Sequence, residues 1–230
     1  MFSMSAAVSL DALLQSGALG RVRKGIFASD PRARSSGLAD LDRVLPDRGF
    51  PPGITELAAP HGMGGASTIA LSAIQAAQAR DKRVHCAWIE PRLSGTLHAP
   101  FVDRMGVSRD RLVVVRPPPE ALARVALEVV DSGAFEVVAI RIGRARGLDA
   151  RHVRKLALLA EERGGIVLIA SDGTSSGWRA WPVTLRIELH RAPSFISVKV
   201  TRDRRGRTGA TGHVVPGHEA PERPARDVAP

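Results

Sequence analysis

The chain has 230 residues, 44% of them hydrophobic, and a formal charge of +10. Such a length and hydrophobic share suit one globular core rather than a disordered class. No apolar run approaches the ~20 uncharged residues that span a bilayer, and the single Cys86 excludes an internal disulfide.

The opening "MFSMSAAVSL" lacks a basic region followed by a long apolar one, so we expect no secretion signal and a cytoplasmic protein. Residues 5–19, "SAAVSLDALLQSGAL", carry apolar residues at helical spacing and stop before Gly20. A loop rich in Ser, Pro and Arg follows. "GLADLDRVLP" reads as a short helix ended by Pro46, "RGFPPG" as a turn and "ITELAAP" as a strand entering a glycine loop. "ASTIALSAIQAAQARD" has a strong helical pattern.

Strand and helix then alternate: "RVHCAWIE", "HAPFVDRMG", "RLVVVRP", "PEALARVALEVVDSG", "FEVVAIRI", "DARHVRKLALLAEERG" and "GIVLIAS". "VTLRIELHR" and "SFISVKVTRD" nearly alternate polar with apolar, as antiparallel edge strands do. The expected fold class is α/β, a mainly parallel central sheet flanked by helices, with antiparallel strands at the C-terminal end. From about Thr208 the chain is Gly, Pro and charge without periodicity and reads as a disordered tail. The expected division is therefore an N-terminal helix and basic linker over 1–35, a core over 36–207 and a tail over 208–230. Cys86, in an apolar run, reads as a buried thiol.

"LAAPHGMGGAST" has the place of a phosphate loop between strand and helix. Such a loop, G-x-x-x-x-G-K-[ST], needs backbone N–H groups around the phosphates, a lysine on their charge and a hydroxyl for Mg²⁺. Here Ala59 takes the first glycine position, Gly64 the second, Gly65 the lysine and Ala66 the hydroxyl. No Lys or Arg occurs between Arg48 and Arg80, so no shifted register supplies the charge. Gly62, Gly64, Gly65, Ala66 and Ser67 form a degenerate phosphate loop, and we expect no cofactor. The later strand "FEVVAIRIG" ends in Arg141 where a metal-linked carboxylate would stand. "AWIEPRLSG" does offer Glu90 near the place of a water-activating glutamate.

The run "GLADLDRVLPDRGFPPGITELAAPHGMGGASTIALSAIQAA" resembles the start of the RecA recombinase core, and the likeness continues to "VKVTRDRRG", about residues 36–207. Within that superfamily, "SSGLADLDRVLPDRGFPPGITELAA" and the upstream "RVRKG" are most similar to the ImuA family. ImuA proteins are RecA-like accessory proteins of bacterial mutagenic translesion synthesis, related to SulA-type division inhibitors. The resemblance implies a RecA-like core. It places RecA's phosphate lysine on Gly65, its loop threonine on Ala66, its metal-linked aspartate on Arg141 and its catalytic glutamate on Arg92 rather than Glu90. All four are departures, so no ATPase is expected. It also implies RecA and a polymerase-like ImuB protein as partners, with a SulA-like division inhibitor as an alternative.

In RecA, two lysines of a C-terminal strand reach the nucleotide of the adjacent protomer. Arg202 and Arg204 match them; an ordinary charged edge hairpin is the other reading. A helix before the core docks on the neighbouring protomer in RecA-like chains. Leu10, Leu13 and Leu14, with Val8, give residues 5–19 a stripe for that use or for capping this chain's own core. "RIGRARGLDARHVRK" puts Arg144, Arg146, Arg151 and Arg154 where RecA-like proteins have their first DNA loop. They either contact phosphates of single-stranded DNA or form a solvated basic helix start. Trp178, Arg179 and Trp181 fall in the second DNA loop and either stack on a base or pack over the sheet edge. With no Tyr, six Phe and three Trp, aromatic material for a stacking platform is thin. The positive charge favours polyanions in general. The seven histidines lack metal-ligand spacing, and we expect no metal.

Overall fold

The strand predicted over "ITELAAP" lies at the heart of the sheet. The computed structural model describes residues 29–59, 64–92, 96–142, 147–171 and 181–216. Leu10, Leu13, Leu14 and the predicted helix around them lie outside these, as do Gly62, Arg144, Arg146, Trp178, Arg179 and residues 217–230. In chain order the elements are α1 (Ala39–Val44), β1 (Gly53–Ala58), α2 (Ala66–Arg80), β2 (Cys86–Ile89), α3 (Ala99–Arg104), β3 (Leu112–Val115) and α4 (Leu122–Asp131). Then come β4 (Val137–Arg141), α5 (Ala150–Arg163), β5 (Ile166–Ser171), β6 (Leu185–Arg191), β7 (Ile196–Asp203) and β8 (Thr211–Val214).

The fold is α/β, an eight-stranded sheet in the order β3-β2-β4-β5-β1-β6-β7-β8. Strands β1 to β6 are mutually parallel, and β7 and β8 are antiparallel additions at one edge. This is the architecture expected from the alternating pattern. β1 is buried at every position, as a strand covered on both faces must be, whereas β7 alternates buried with exposed.

One face of the sheet carries α1, α2 and α3. Leu41, Ile69, Leu71, Ile74 and Val102 pack there with Leu57, Trp88 and Leu168 of the strands. The other face carries α4 and α5, whose Leu122, Ala126, Val153, Leu156 and Ala160 meet Ile54, Ile89, Ile140 and Ile169. On α4 and α5 these residues recur at three- and four-residue spacing and make a single apolar stripe, whereas α2 is buried around most of its surface. Asp149 caps α5 by accepting from the Arg151 and His152 amides, and Gly164 ends it in the left-handed conformation. Gly37, at φ +78°, brings its loop so close to α2 that a Cβ would lie 2.6 Å from the Ser72 carbonyl. Cys86 is fully buried, and burial pushes its thiol up to about 11.

The core extends beyond 36–207 at both ends. Arg34 bridges to Phe50, and Asp30 is 8% exposed within an ion network described below. The sequence-based tail contains β8, which pairs with β7 and buries Val214 completely. Four residues including a glycine carry no readable periodicity; pairing with β7 and packing on α1 make them a strand. A Cβ on Gly212 would lie 2.4 Å from Val44 Cγ2.

Candidate functional site

In parallel α/β sheets, ligands sit beyond the carboxyl ends of the strands. Five such ends line up here: β1 leads to Gly64 and Gly65, β2 to Glu90 and Arg92, and β3 to Arg116. β4 ends in Arg141 and β5 in Ser171.

At the first end, Gly65 is the N-cap of α2 at φ +86°. A Cβ there would lie 2.5 Å from Cδ1 of Ile196, which is fully buried in β7. A Cβ on Gly64 would lie 2.6 Å from both the Ala59 Cβ and the Leu189 carbonyl. These glycines are therefore required by the close approach of β6 and β7 to the turn. Ala66 is buried and Ser67 half-buried at the helix start. A lysine at position 65 would have to displace Ile196 and hold a left-handed backbone.

At the second and third ends, two arginines tie the loops together. Arg92 Nε donates to the Arg116 carbonyl at 3.1 Å, and Arg116 Nη2 donates to the Arg92 carbonyl at 3.2 Å. Glu90 is fully buried. Its Oε2 accepts from the Trp88 indole N–H at 3.0 Å, and its Oε1 accepts from the Leu97 amide at 2.9 Å. Arg116 Nε stands 3.5 Å from the same Oε1. A carboxylate held on both oxygens is a loop anchor, not a base facing water. Arg141, half-buried, closes β4 beside Ala170 of β5.

One polar cluster escaped sequence reasoning. Glu56 of β1 is fully buried; it accepts from the Ser171 hydroxyl at 2.8 Å and faces Arg186 Nη1 at 3.5 Å. Register sets Glu56 beside Arg186, and Arg186 beside Arg202. Burial raises the Glu56 carboxyl above its ordinary value, although Ser171 and Arg186 pull the other way. The available signal was a glutamate in an otherwise buried strand, which needs a partner on a neighbouring strand.

The partner-facing candidates lie across the sheet. Arg202 Nη1 donates to the Trp181 carbonyl at 2.6 Å, and Arg204 is ion-paired to Glu161 of α5. Both side chains are exposed. No family model matches the chain. Of the described DNA-contact candidates, Arg151 and Arg154 are exposed on α5. Trp181 is 4% exposed and packs in the core under α5, the packed alternative of its two readings rather than the stacking one. Among the described residues, no helix is long and apolar enough to cross a membrane. Among the same residues, no three His, Cys, Asp or Glu side chains are grouped to hold a metal ion.

Proposed function

We propose that the chain is a non-catalytic RecA-like protein of the ImuA type, acting through protein contacts in DNA-damage tolerance and translesion synthesis. The observation that carries this reading is the amino end of α2, where Gly65 takes the lysine position and Ile196 fills the space beside it. Arg141 and Arg92 support it, since a cation at each acid position opposes the metal and water geometry of phosphoryl transfer. Glu90, the nearest carboxylate, is committed to Trp88 and Leu97.

The partners in this reading are RecA recombinase and an ImuB-type polymerase-like protein, met in the bacterial cytoplasm during the SOS response. Arg202 and Arg204, exchanging their present contacts, would reach the ATP of an adjacent RecA subunit. The chain has no matching ATP face to offer the next subunit, so it would cap a filament. Titration into a RecA strand-exchange reaction tests this. Inhibition that is lost with Arg202→Ala plus Arg204→Ala supports the arginine mechanism. Absence of inhibition at any ratio removes RecA as the partner.

A second reading, a single-stranded-DNA-binding module, is favoured by the +10 charge and the exposed Arg151 and Arg154. Its signature is a steep fall of oligonucleotide affinity with salt, reduced in slope by Arg151→Ala and Arg154→Ala.

A further inference from the structure

A groove between α5 and the segment entering β6 combines an apolar floor with an unbalanced cationic rim. Leu158 of α5 is 64% exposed, the largest exposure of any large hydrophobic side chain among the described residues. Ala157 beside it and the part-exposed Pro182 across the groove continue the apolar surface, over the buried Val183. Arg154, one helical turn before Leu158, shares its face. Arg202 and Arg204 form the opposite wall. The groove's two carboxylates are already engaged: Glu161 pairs with Arg204, and Asp203 holds Arg207 at 2.8 Å. Among the described residues, neither Arg154 nor Arg202 is in a contact ion pair; Arg202 gives one nitrogen to the Trp181 carbonyl and only a longer-range pull to Glu56.

We propose that this groove binds an acidic linear peptide segment of a protein partner. A large apolar side chain of the peptide sits on Leu158, and its carboxylates meet Arg154 and Arg202. An exposed apolar patch with a polar rim marks an interaction surface. Guanidinium groups accept carboxylates in a two-pronged geometry that adds orientation to attraction. A nucleic-acid backbone would use the arginines, but it would leave Leu158 in water. Arg202 is shared with the arginine–triphosphate contact proposed above, but Leu158 and Arg154 are not, so substitutions at these two separate the readings.

Fluorescence anisotropy with a labelled peptide of two leucines flanked by glutamates tests the groove. Saturable binding is expected, about tenfold weaker with Leu158→Glu, which removes the apolar seat and adds a like charge. A serine-for-leucine peptide is expected to lose about the same. Leu158→Gln is the second variant, its effect smaller than that of the glutamate. Arg154→Glu weakens binding and is partly compensated by a peptide with one lysine in place of glutamate. Equal binding of the serine peptide, or indifference to Leu158→Glu, would overturn the proposal, because both mark general attraction of polyanions to a basic chain. Displacement by a single-stranded oligonucleotide that binds wild type and Leu158→Glu alike would assign the arginines to nucleic acid and overturn it as well. Loss of peptide binding with retained inhibition of RecA supports the groove as a site of its own.

Discussion

Arginines gather at both edges of the parallel strands, and the two groups are held in different ways. At the amino edge, where β1 and β6 begin, Arg32, Arg205 and Arg207 meet Asp30, Asp47 and Asp203. Arg207 reaches Asp47 with two nitrogens, at 2.7 and 2.8 Å, and Asp203 with a third contact at 2.8 Å. This network clasps the segments on both sides of α1 to the β7–β8 turn. At the carboxyl edge, Arg92 and Arg116 hold each other's backbone carbonyls, and the nearby Glu90 is anchored from within. A matched cluster at one edge serves the fold. At the other, Arg92 and Arg116 spend their contacts on backbone carbonyls and on the buried Glu90, so they fasten loops rather than balance an acidic cluster.

The largest effect should come from breaking the clasp. Arg207→Ala leaves Asp47 and Asp203, both nearly buried, without their main counter-ion, and should destabilise the fold by about 3 kcal/mol in urea unfolding. The matching change at the carboxyl edge, Arg92→Ala, removes one exposed contact and should shift stability by under about 1 kcal/mol. Equal losses at the two edges would erase the distinction. Gly65→Lys comes next, at about 1–3 kcal/mol, because it forces a left-handed backbone and pushes on Ile196. Isothermal calorimetry should then show no gain of Mg·ATP binding, although the missing charge has been supplied.

Acid titration separates the clusters by sign. The hydrogen bond from Arg32 holds Asp30 below the ordinary carboxylate range. At Asp47, burial pushes upward but is outweighed by Arg207 and the Asp30 amide, so its carboxyl is also lowered. Groups depressed in the folded state contribute stability above their unfolded value, about 4, and lose it as pH falls through the folded value. Glu56 is raised, so its contribution is complete below its unfolded value and is lost as pH rises through the folded one. Urea midpoints measured against pH should drop steeply below pH about 4 in the wild type and more shallowly in Arg207→Ala. Arg202→Ala plus Arg204→Ala should give the smallest stability change, under about 0.5 kcal/mol by the same assay, while altering RecA inhibition.

The parallel strands were legible as short, unbroken apolar runs, and α4 and α5 by apolar residues three and four apart. The glycine turn at Gly64 and Gly65 was legible as well. What closes that loop was not, because Ile196 arrives from a strand far along the chain. The same holds for the clasp, whose Asp47–Arg207 contact joins residues 160 apart in sequence. β8 was missed because pairing with β7 makes Thr211–Val214 a strand. Glu56 carried a readable signal, a charge in a buried strand, but its partners Ser171 and Arg186 lie on neighbouring strands that local pattern does not align.

The central claim of the proposed reading is that the carboxyl edge does not serve as a nucleotide site. Binding and turnover of Mg·ATP by the purified chain test it most directly. The account predicts no hydrolysis above the uncatalysed background and no Mg²⁺-dependent, saturable binding. Saturable Mg²⁺-dependent binding with turnover, abolished by a substitution at Arg92 or Arg141, would contradict it.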